Sequence, residues 1–344
     1  MLSLMFAGGV AIWAAGLLTP VLVRWLQARR IGQHIREDGP STHSSKAGTP
    51  TMGGIVIGIA ALLGYLSGHV ETSVLFSPTG ALVGFAVFAY AIIGFLDDWI
   101  KIRNRRSLGL NKRWKMGLQL AIGVVFAELA VHWAHTSTTL SFTRATLPGW
   151  QLGEIGWVVL AVLVIAGTSN AVNLTDGLDG LAAGSSTFCF AVLAIMGYWE
   201  FRHYAIYGVA SALDLALWAV ALAGACLGFL WWNAAPAKIY MGDTGSLSIG
   251  AGLAAICLLM NLDLILVIIG GLFVIETLSV IIQVVSFRTF GRRVFKMAPV
   301  HHHFELLGWP ETTVIVRFWI LAGLFSALGL GLFYADFLQV AKVV

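Results

Sequence analysis

The chain has little charge for its length. Of its 344 residues, only 11% are Asp, Glu, Lys or Arg, whereas 58% are hydrophobic and the mean hydropathy is +0.85. A soluble globular enzyme is excluded by this composition, because it would leave too little polar surface to face water. Apolar stretches instead recur along the whole chain, and lipid satisfies no backbone polar group, so each stretch must be a helix. The sequence predicts an all-α polytopic membrane protein.

Cysteine is also scarce. Cys189, Cys226 and Cys257 all fall in apolar stretches and have no metal-ligand spacing, so we expect packed free thiols. No nucleic-acid motif accompanies the basic loops, which makes nucleic acid a poor candidate partner. The sequence has no repeat of fixed period and no linker that would separate two domains. We therefore expect a single integral membrane domain over residues 1–344.

The apolar stretches predict ten membrane-spanning helices, since a span needs about 20 apolar residues. They lie near 3–26, 53–69, 79–97, 116–134, 154–172, 181–199, 206–230, 246–260, 263–286 and 313–338.

The distribution of Lys and Arg predicts the orientation of these spans. Alternate connections, beginning with 27–52, carry 18 of the 21 basic residues, and short cytoplasmic loops are enriched in such residues. Arg144, Arg202 and Lys342 are on the other side. This pattern places both termini outside the cytoplasm, and it favours an uncleaved anchor over a signal peptide at the first span. The positive cytoplasmic face would attract anionic headgroups and anionic soluble substrates.

An acidic pair, Asp97 and Asp98, ends the third apolar stretch. A basic segment that reaches Lys115 follows it directly. Ionised side chains at a membrane edge are costly unless water, a metal or a partner cation compensates, so a functional site is the favoured interpretation. The combination of carboxylates and lysines indicates chemistry on phosphates.

A second polar cluster, Asn170, Asn173, Asp176 and Asp179, ends the fifth span. Residues three positions apart share a face if the backbone is helical, whereas the glycines among them favour a turn that lets backbone approach a ligand. The alternative is an ordinary helix cap and loop. Capping needs one such side chain rather than four, which favours a functional reading.

The third cluster lies at 232–246. Asp243 is its candidate acidic ligand, and Gly242 and Gly245 stand where the next helix begins, so their backbone amides could meet a phosphate. The alternative is that Asp243 or Thr244 only caps that helix.

Two further clusters lie in cytoplasmic loops. Consecutive His301, His302 and His303 cannot easily point three rings at one ion, and no zinc spacing accompanies them, so hydrogen bonding to anionic oxygens is favoured. The segment 43–54 lacks a Walker A order, but Lys46 offers a point charge to phosphate. All the clusters share the cytoplasmic face. Carboxylates there could hold Mg²⁺ together with substrate phosphates, while Lys, Arg and His neutralise charge during phosphoryl transfer.

Five segments resemble the signatures of the phospho-N-acetylmuramoyl-pentapeptide transferase family, also called translocase I, within the polyprenyl-phosphate N-acetylhexosamine-1-phosphate transferases. They are KAGTPTMGG at 46–54, GFLDDWIK at 94–101, NAVNLTDGLDGLA at 170–182, MGDTGS at 241–246 and APVHHHFE at 298–305. The resemblance covers about residues 24–320. It implies an Mg²⁺-dependent transfer of phospho-MurNAc-pentapeptide from UDP-MurNAc-pentapeptide to undecaprenyl phosphate, giving lipid I and UMP in peptidoglycan synthesis. It also implies a homodimer, surrounded by membrane lipids, in the bacterial cytoplasmic membrane.

The resemblance also implies roles for individual residues. Asp243 is the expected Mg²⁺ ligand, Asp97 the candidate base, and Tyr240 a stacking surface for uracil. The residues implied as catalytic are Asp97, Asp98, Asp243, His302 and His303. Those implied as substrate-binding are Lys46, Thr51, Lys101, Lys115, Asn173, Asp176, Asp179, Asn233, Tyr240, Gly242, Ser246, Gln283 and His301.

Two alternatives stay open from sequence. Relatives that transfer GlcNAc-1-phosphate share the paired Asp and the Asn/Asp loop, although the uninterrupted histidine segment favours the MurNAc-pentapeptide branch. A transporter of lipid-linked sugars would place polar groups near the membrane midplane, and Glu276 is the one carboxyl clearly inside a predicted span.

Direct attack by the lipid phosphate is favoured over a covalent relay, because a phosphate is already anionic near neutral pH.

Overall fold

The computed structural model describes residues 1–29, 31–32, 48–70, 76–104 and 108–342. Within them the chain is helical apart from one β-hairpin. The elements are α1 Leu2–Ala28, α2 Gly54–Val70, α3 Pro78–Arg103, α4 Lys112–His132, β1 Thr139–Arg144, β2 Leu147–Gln151, α5 Gly153–Thr175, α6 Leu181–Arg202, α7 Tyr204–Tyr207, α8 Ala212–Asn233, α9 Gly242–Leu259, α10 Ile265–Ile269, α11 Gly271–Phe290, α12 Val300–Glu305 and α13 Glu311–Val340.

The predicted spans are confirmed as apolar helices. Nine helices in the described part of the chain are long and apolar enough to cross a membrane, and α2 is a shorter apolar helix of 17 residues that occupies the predicted second span. A polytopic helical membrane protein follows. Because ten spans alternate in direction, both chain termini lie at the same end of the bundle.

The structure divides one predicted span into two helices and adds a β-hairpin to one connection. The span predicted over 263–286 is two helices, because α10 ends at Ile269 and α11 begins at Gly271. A Cβ on Gly271 would lie 2.6 Å from the ring of Phe325, so the close approach of α13 requires glycine there. The connection at 135–153, between the predicted fourth and fifth spans, contains the antiparallel pair β1 and β2.

The hairpin ties together helix ends opposite the polar clusters. The backbone amide and the hydroxyl of Ser141 donate to Asp263 Oδ2, at 3.0 and 2.6 Å, just beyond the end of α9. The Arg144 guanidinium donates to Asp336 Oδ2 near the end of α13, at 3.0 Å. These contacts fix the far end of the bundle.

Helix α9 is the most enclosed span. In its most apolar stretch of 18 residues, 89% is buried inside the protein, against 28% in the corresponding stretches of α1 and α11. Small residues allow this enclosure, since neighbouring helices approach closely where side chains are small. The helix begins at Gly242, so the enclosed axis of the molecule carries Asp243 at its first turn.

Candidate active site

The polar clusters meet at one end of the bundle. The carboxyl ends of α3 and α5 lie there together with the amino ends of α4 and α9, because successive spans alternate in direction. The predicted convergence of these segments on one face is confirmed.

Three carboxylates form the centre of this end. Each of Asp97, Asp98 and Asp243 offers an oxygen, and these oxygens all lie within 4.8 Å of one another. Asp97 and Asp98 are 4% and 3% exposed, whereas the side chain of Asp243 is 16% exposed. Asp243 is therefore the carboxylate of the three that a soluble ligand reaches most readily.

Asp98 caps helix α9 from a different helix. Its carboxylate accepts the backbone amides of Asp243, at 3.2 Å, and Thr244, at 3.0 Å, and also the Thr244 hydroxyl at 2.8 Å. An anion at a helix amino end satisfies unpaired amides and the helix dipole. The amides of Asp243 and Thr244 thus serve Asp98, and those of Gly242 and Gly245 stay the predicted donors to a substrate phosphate.

The close approach of α3 and α9 makes this cap possible. A Cβ on Gly94, one turn before Asp98 on α3, would lie 2.1 Å from the carbonyl oxygen of Asp243. Only glycine fits at this contact. The spacing of backbones therefore sets the position of Asp243.

Two lysines lie among the carboxylates. Lys101 Nζ is 2.6 Å from Asp97 Oδ2, 3.5 Å from Asp98 Oδ1 and 3.0 Å from Asp243 Oδ2. Lys115 Nζ, from α4, is 2.5 Å from the same Asp243 oxygen and 3.8 Å from Asp97 Oδ1. Of the lysines near 112–115, the structure thus places Lys115 in the site, while Lys112 is exposed.

The amide of Asn173 orients Asp243 from the other side. Its Nδ2 donates to Asp243 Oδ1 at 2.9 Å and to Ser246 Oγ at 2.8 Å. Asn170, one turn earlier on α5, instead donates to Gln119 Oε1 at 2.8 Å and braces α4 against α5. Of the predicted Asn/Asp cluster, Asn173 therefore belongs to the site, whereas Asn170 serves the packing of α4 against α5.

Two further carboxyl groups, those of Asp176 and Asp179, lie in the turn after α5. Asp179 Oδ2 accepts the amide of Ala237 at 2.9 Å, and its own amide donates to Glu311 at 3.2 Å, so it fastens two loops. Asp176 stands at the C-cap of α5. Burial raises the pKa of Asp176 to about 8, and repulsion by Asp243 and Asp98 adds to this rise. Asp176 thus lies where the carboxylates of Asp243 and Asp98 disfavour a further negative charge.

The segment after residue 48 pairs with the approach to α9. Tyr240 donates its amide to Pro50 O at 2.8 Å, and Gly53 donates to Tyr240 O at 2.9 Å. Thr51 is buried beside Gly242, where a Cβ would lie 3.0 Å from the Thr51 hydroxyl. These contacts place Thr51, Tyr240 and Gly242 beside the carboxylates. Lys46 lies outside the described residues.

Two predicted binding amides hold loops in this structure. Asn233 is 1% exposed, and its Nδ2 donates to Ile239 O at 2.8 Å. Gln283 donates to Phe295 O and accepts the amides of Val294 and Phe295, at 2.9, 3.0 and 2.9 Å. Both residues shape the loops around the site.

The three histidines have three different partners. His301 Nδ1 lies 3.1 Å from Glu276 Oε1, and both side chains are fully buried. His302 Nδ1 lies 2.7 Å from Glu305 Oε2, and His303 Nδ1 accepts the amide of Lys296 at 3.1 Å. The expectation that the rings do not converge on one ion agrees with this geometry.

Glu276 is the residue whose role the sequence left undecided. It lies on α11 and contacts His301, the first residue of the triplet, whose Nε2 faces Gly177 in the turn after α5. A Cβ on Gly177 would lie 2.3 Å from that nitrogen. The carboxyl thus links α11 to the turn that carries Asp176 and Asp179. Its position inside an apolar span was the only sequence signal.

The carboxylate centre fits a hard divalent cation. Its donors are carboxylate oxygens close enough to share an ion, and one of the three carboxylates is accessible. Mg²⁺ prefers this donor type and is usually held by one or two carboxylates together with substrate phosphates. Asp243 is the most exposed of the three carboxylates that could hold such an ion.

Fold and site together define an integral membrane transferase of the class described as Glycosyl transferase family 4, whose model matches residues 81–261. Residues 46–57 match phospho-N-acetylmuramoyl-pentapeptide-transferase signature 1. The chain belongs to the phospho-N-acetylmuramoyl-pentapeptide-transferase family.

Similar curated proteins support this membership along the whole chain. The phospho-N-acetylmuramoyl-pentapeptide-transferase of Frankia alni is 51% identical, with 98% of this chain and 99% of the relative covered. The proteins of the same name from Saccharopolyspora erythraea and Streptomyces griseus are 48% and 47% identical, with 99% and 97% of this chain and 99% and 98% of the relatives covered.

Proposed function

We propose that this protein transfers phospho-MurNAc-pentapeptide from UDP-MurNAc-pentapeptide to undecaprenyl phosphate, forming lipid I and UMP. The observation that carries the proposal is the arrangement of Asp97, Asp98 and Asp243 with Lys101 and Lys115 at one end of a helical membrane bundle. Carboxylates that hold a cation, beside lysines that bind phosphate, are the parts that phosphoryl transfer requires. Membership of the family supports the choice of substrates.

Mg²⁺ is the proposed cofactor, and Asp243 its principal ligand. When bound, it would neutralise charge on the diphosphate as the bond to UMP breaks. Asn173 holds the Asp243 carboxylate in place, and Lys101 and Lys115 supply positive charge beside it. Positioned charges of this kind stabilise a transition state without reorganising during the reaction.

The remaining roles concern the acceptor and the nucleotide. Direct in-line attack by the lipid phosphate is the proposed mechanism, with Asp97 as the base for any remaining proton. Asp97 Oδ1 already accepts the amide of Leu110 at 2.9 Å, which fixes the direction of its carboxylate. Tyr240 is the proposed stacking surface for uracil. His302 and His303 are the proposed donors to anionic oxygens of the substrate.

The proposed orientation places this end of the bundle in the cytoplasm and both termini outside. The soluble nucleotide substrate is cytoplasmic, and most basic residues flank the same end. We also propose that two copies associate, as the family resemblance implies.

The decisive experiment measures UMP release by the purified protein in detergent. UDP-MurNAc-pentapeptide and UDP-GlcNAc are each supplied with undecaprenyl phosphate, with Mg²⁺ or with a chelator. We expect UMP from the MurNAc substrate when Mg²⁺ and lipid are both present. Preference for UDP-GlcNAc would assign the chain to the GlcNAc-1-phosphate branch. Absence of UMP with every donor would favour a transporter.

A further inference from the structure

The Asp243 oxygen that Asn173 does not engage is already in contact with two ammonium groups. Asp243 Oδ2 lies 3.0 Å from Lys101 Nζ and 2.5 Å from Lys115 Nζ. A directly coordinated Mg²⁺ lies about 2.1 Å from its oxygen ligand, which is too close to both ammonium groups for the three cations to share that atom. Binding of the cation therefore requires that at least one lysine leave Asp243.

The two lysines differ in what else holds them. Lys101 lies one turn from Asp97 on α3, and its 2.6 Å contact with that residue does not depend on Asp243. Among the described residues, the other carboxylate near Lys115 is Asp97, at 3.8 Å, which is beyond hydrogen-bond distance. Asp97 is moreover already shared with Lys101. Once Asp243 is taken by a divalent cation, Lys115 loses its close anionic partner while Lys101 keeps one.

The position of Lys115 on its helix supports the same conclusion. Lys115 lies in the first turn of α4, which begins at Lys112, and a cation at a helix amino end is disfavoured by the dipole. The side chain is therefore stabilised mainly by an external anion. Its long flexible stem lets the ammonium group move between anions without movement of the helix.

We propose that Lys115 is a placeholder for the divalent cation at Asp243. Without the cation, its ammonium group neutralises Asp243. When the cation binds, the ammonium group leaves Asp243 and becomes available to the diphosphate of the nucleotide substrate. This proposal rests on the proposed function, and it adds that binding of the cation and capture of the diphosphate are linked through one side chain.

The first test measures the reactivity of individual lysines in the wild-type protein. A limiting amount of an N-hydroxysuccinimide acetyl ester is added in detergent, and acetylation of each lysine is quantified by mass spectrometry. Mn²⁺ or Mg²⁺ alone should raise the acetylation rate of Lys115 by about fivefold or more, as is typical of coupled sites. Lys101, which keeps Asp97, and the exposed Lys112 are internal controls that should change far less.

A second measurement follows the cation directly. Mn²⁺ affinity is determined without substrate by electron paramagnetic resonance for wild type, Lys115→Gln and the matched control Lys112→Gln. Lys115→Gln should bind Mn²⁺ about tenfold or more tightly, since no ammonium group has to be displaced, whereas Lys112→Gln should stay close to wild type. Inorganic pyrophosphate added with Mn²⁺ should protect Lys115 from acetylation again.

The outcomes separate this proposal from the proposed function. If Mn²⁺ binds and the acetylation of Lys115 stays constant or falls, the placeholder role is overturned, whether or not UMP is released. Equal Mn²⁺ affinities of wild type and Lys115→Gln would also overturn it. Failure of the proposed function would instead appear as absence of UMP with every donor. The acetylation and Mn²⁺-binding measurements do not depend on that assay.

Discussion

Asp243 is the residue on which the charges of the site converge. It contacts Lys101, Lys115 and Asn173, and it is the accessible member of the carboxylate centre. From sequence it was the candidate acidic ligand of its cluster, with capping of the helix as the alternative, and the family resemblance implied the role of Mg²⁺ ligand. Its partners were not predictable individually, since they come from three other helices.

The first prediction concerns Asp243→Asn, which keeps the shape and removes the charge. Turnover, measured as UMP release at saturating Mg²⁺, should fall by about 10²–10³-fold or more, the usual effect of removing one preorganised electrostatic group. Asp336→Asn is the matched control, because Asp336 pairs with Arg144 at the opposite end of the bundle. Near-normal turnover of Asp243→Asn, with the protein still folded, would reject its role as the cation ligand.

A second prediction distinguishes the two mechanisms at Asp97. If Asp97 acts only as a base, Asp97→Asn should be about 10²–10⁴-fold slower near neutral pH and should recover in part as rising pH ionises the lipid phosphate, whose second pKa is about 6. Turnover is measured from pH 6 to 10. The Asn side chain can still accept the amide of Leu110, so the loop contact is preserved.

The contrary result for Asp97 has its own signature. A covalent phospho-sugar adduct on Asp97, formed without lipid acceptor and with no recovery of the Asn variant at high pH, would replace direct attack by a two-step mechanism.

The segments that position these residues owe their arrangement to close backbone contacts. Apolar length alone predicted where the helices lie. The break between α10 and α11 was missed because Gly270 and Gly271 remain apolar in composition, so the span read as continuous. The hairpin was missed because this connection was interpreted from its polar, Thr-rich composition alone, although Thr139–Arg144 alternates polar and apolar residues as a strand does. Its pairing is completed by distant residues such as Asp263.

A third prediction tests the contact between the turn after α5 and the histidine segment. Gly177→Ala would place a Cβ 2.3 Å from His301 Nε2, so the imidazole that contacts Glu276 must move. Overpacking of this kind costs about 1–3 kcal/mol. We expect a lower thermal unfolding midpoint in detergent and reduced UMP release.

Gly167→Ala is the control for this substitution. Gly167 lies in α5, and a Cβ there meets no atom within 4 Å. Alanine is the better helix former by about 1 kcal/mol, so this variant should be as stable as wild type or more so. If both variants lost the same stability, the loss in Gly177→Ala could not be attributed to displacement of His301.

At the scale of the whole molecule, most of the basic residues lie at one end of the helical bundle. Segments distant in sequence meet at one end because the spans alternate in direction, and this was predictable from span count and from Lys and Arg alone. The details that sequence could not supply are contacts between helices, such as the capping of α9 by Asp98. No local pattern encodes a partner on another helix.

A fourth prediction tests the proposed orientation. Gln151→Cys, at the exposed end of β2, should react with a membrane-impermeant thiol reagent added outside intact cells, and Lys112→Cys should react only after the membrane is opened. The three native cysteines are buried and give little background. The reverse pattern of labelling would invert the topology.

The enclosure of α9 has a consequence for the response of the protein to its bilayer. Changes in bilayer thickness are accommodated by tilting and local adjustment of lipid-facing segments, each at a modest cost per ångström. Helices α1 and α11 face lipid over most of their length, whereas α9, which carries Asp243, is shielded by its neighbours. A thinner or thicker membrane should therefore alter how the lipid acceptor arrives, while leaving the affinity for the cation nearly constant.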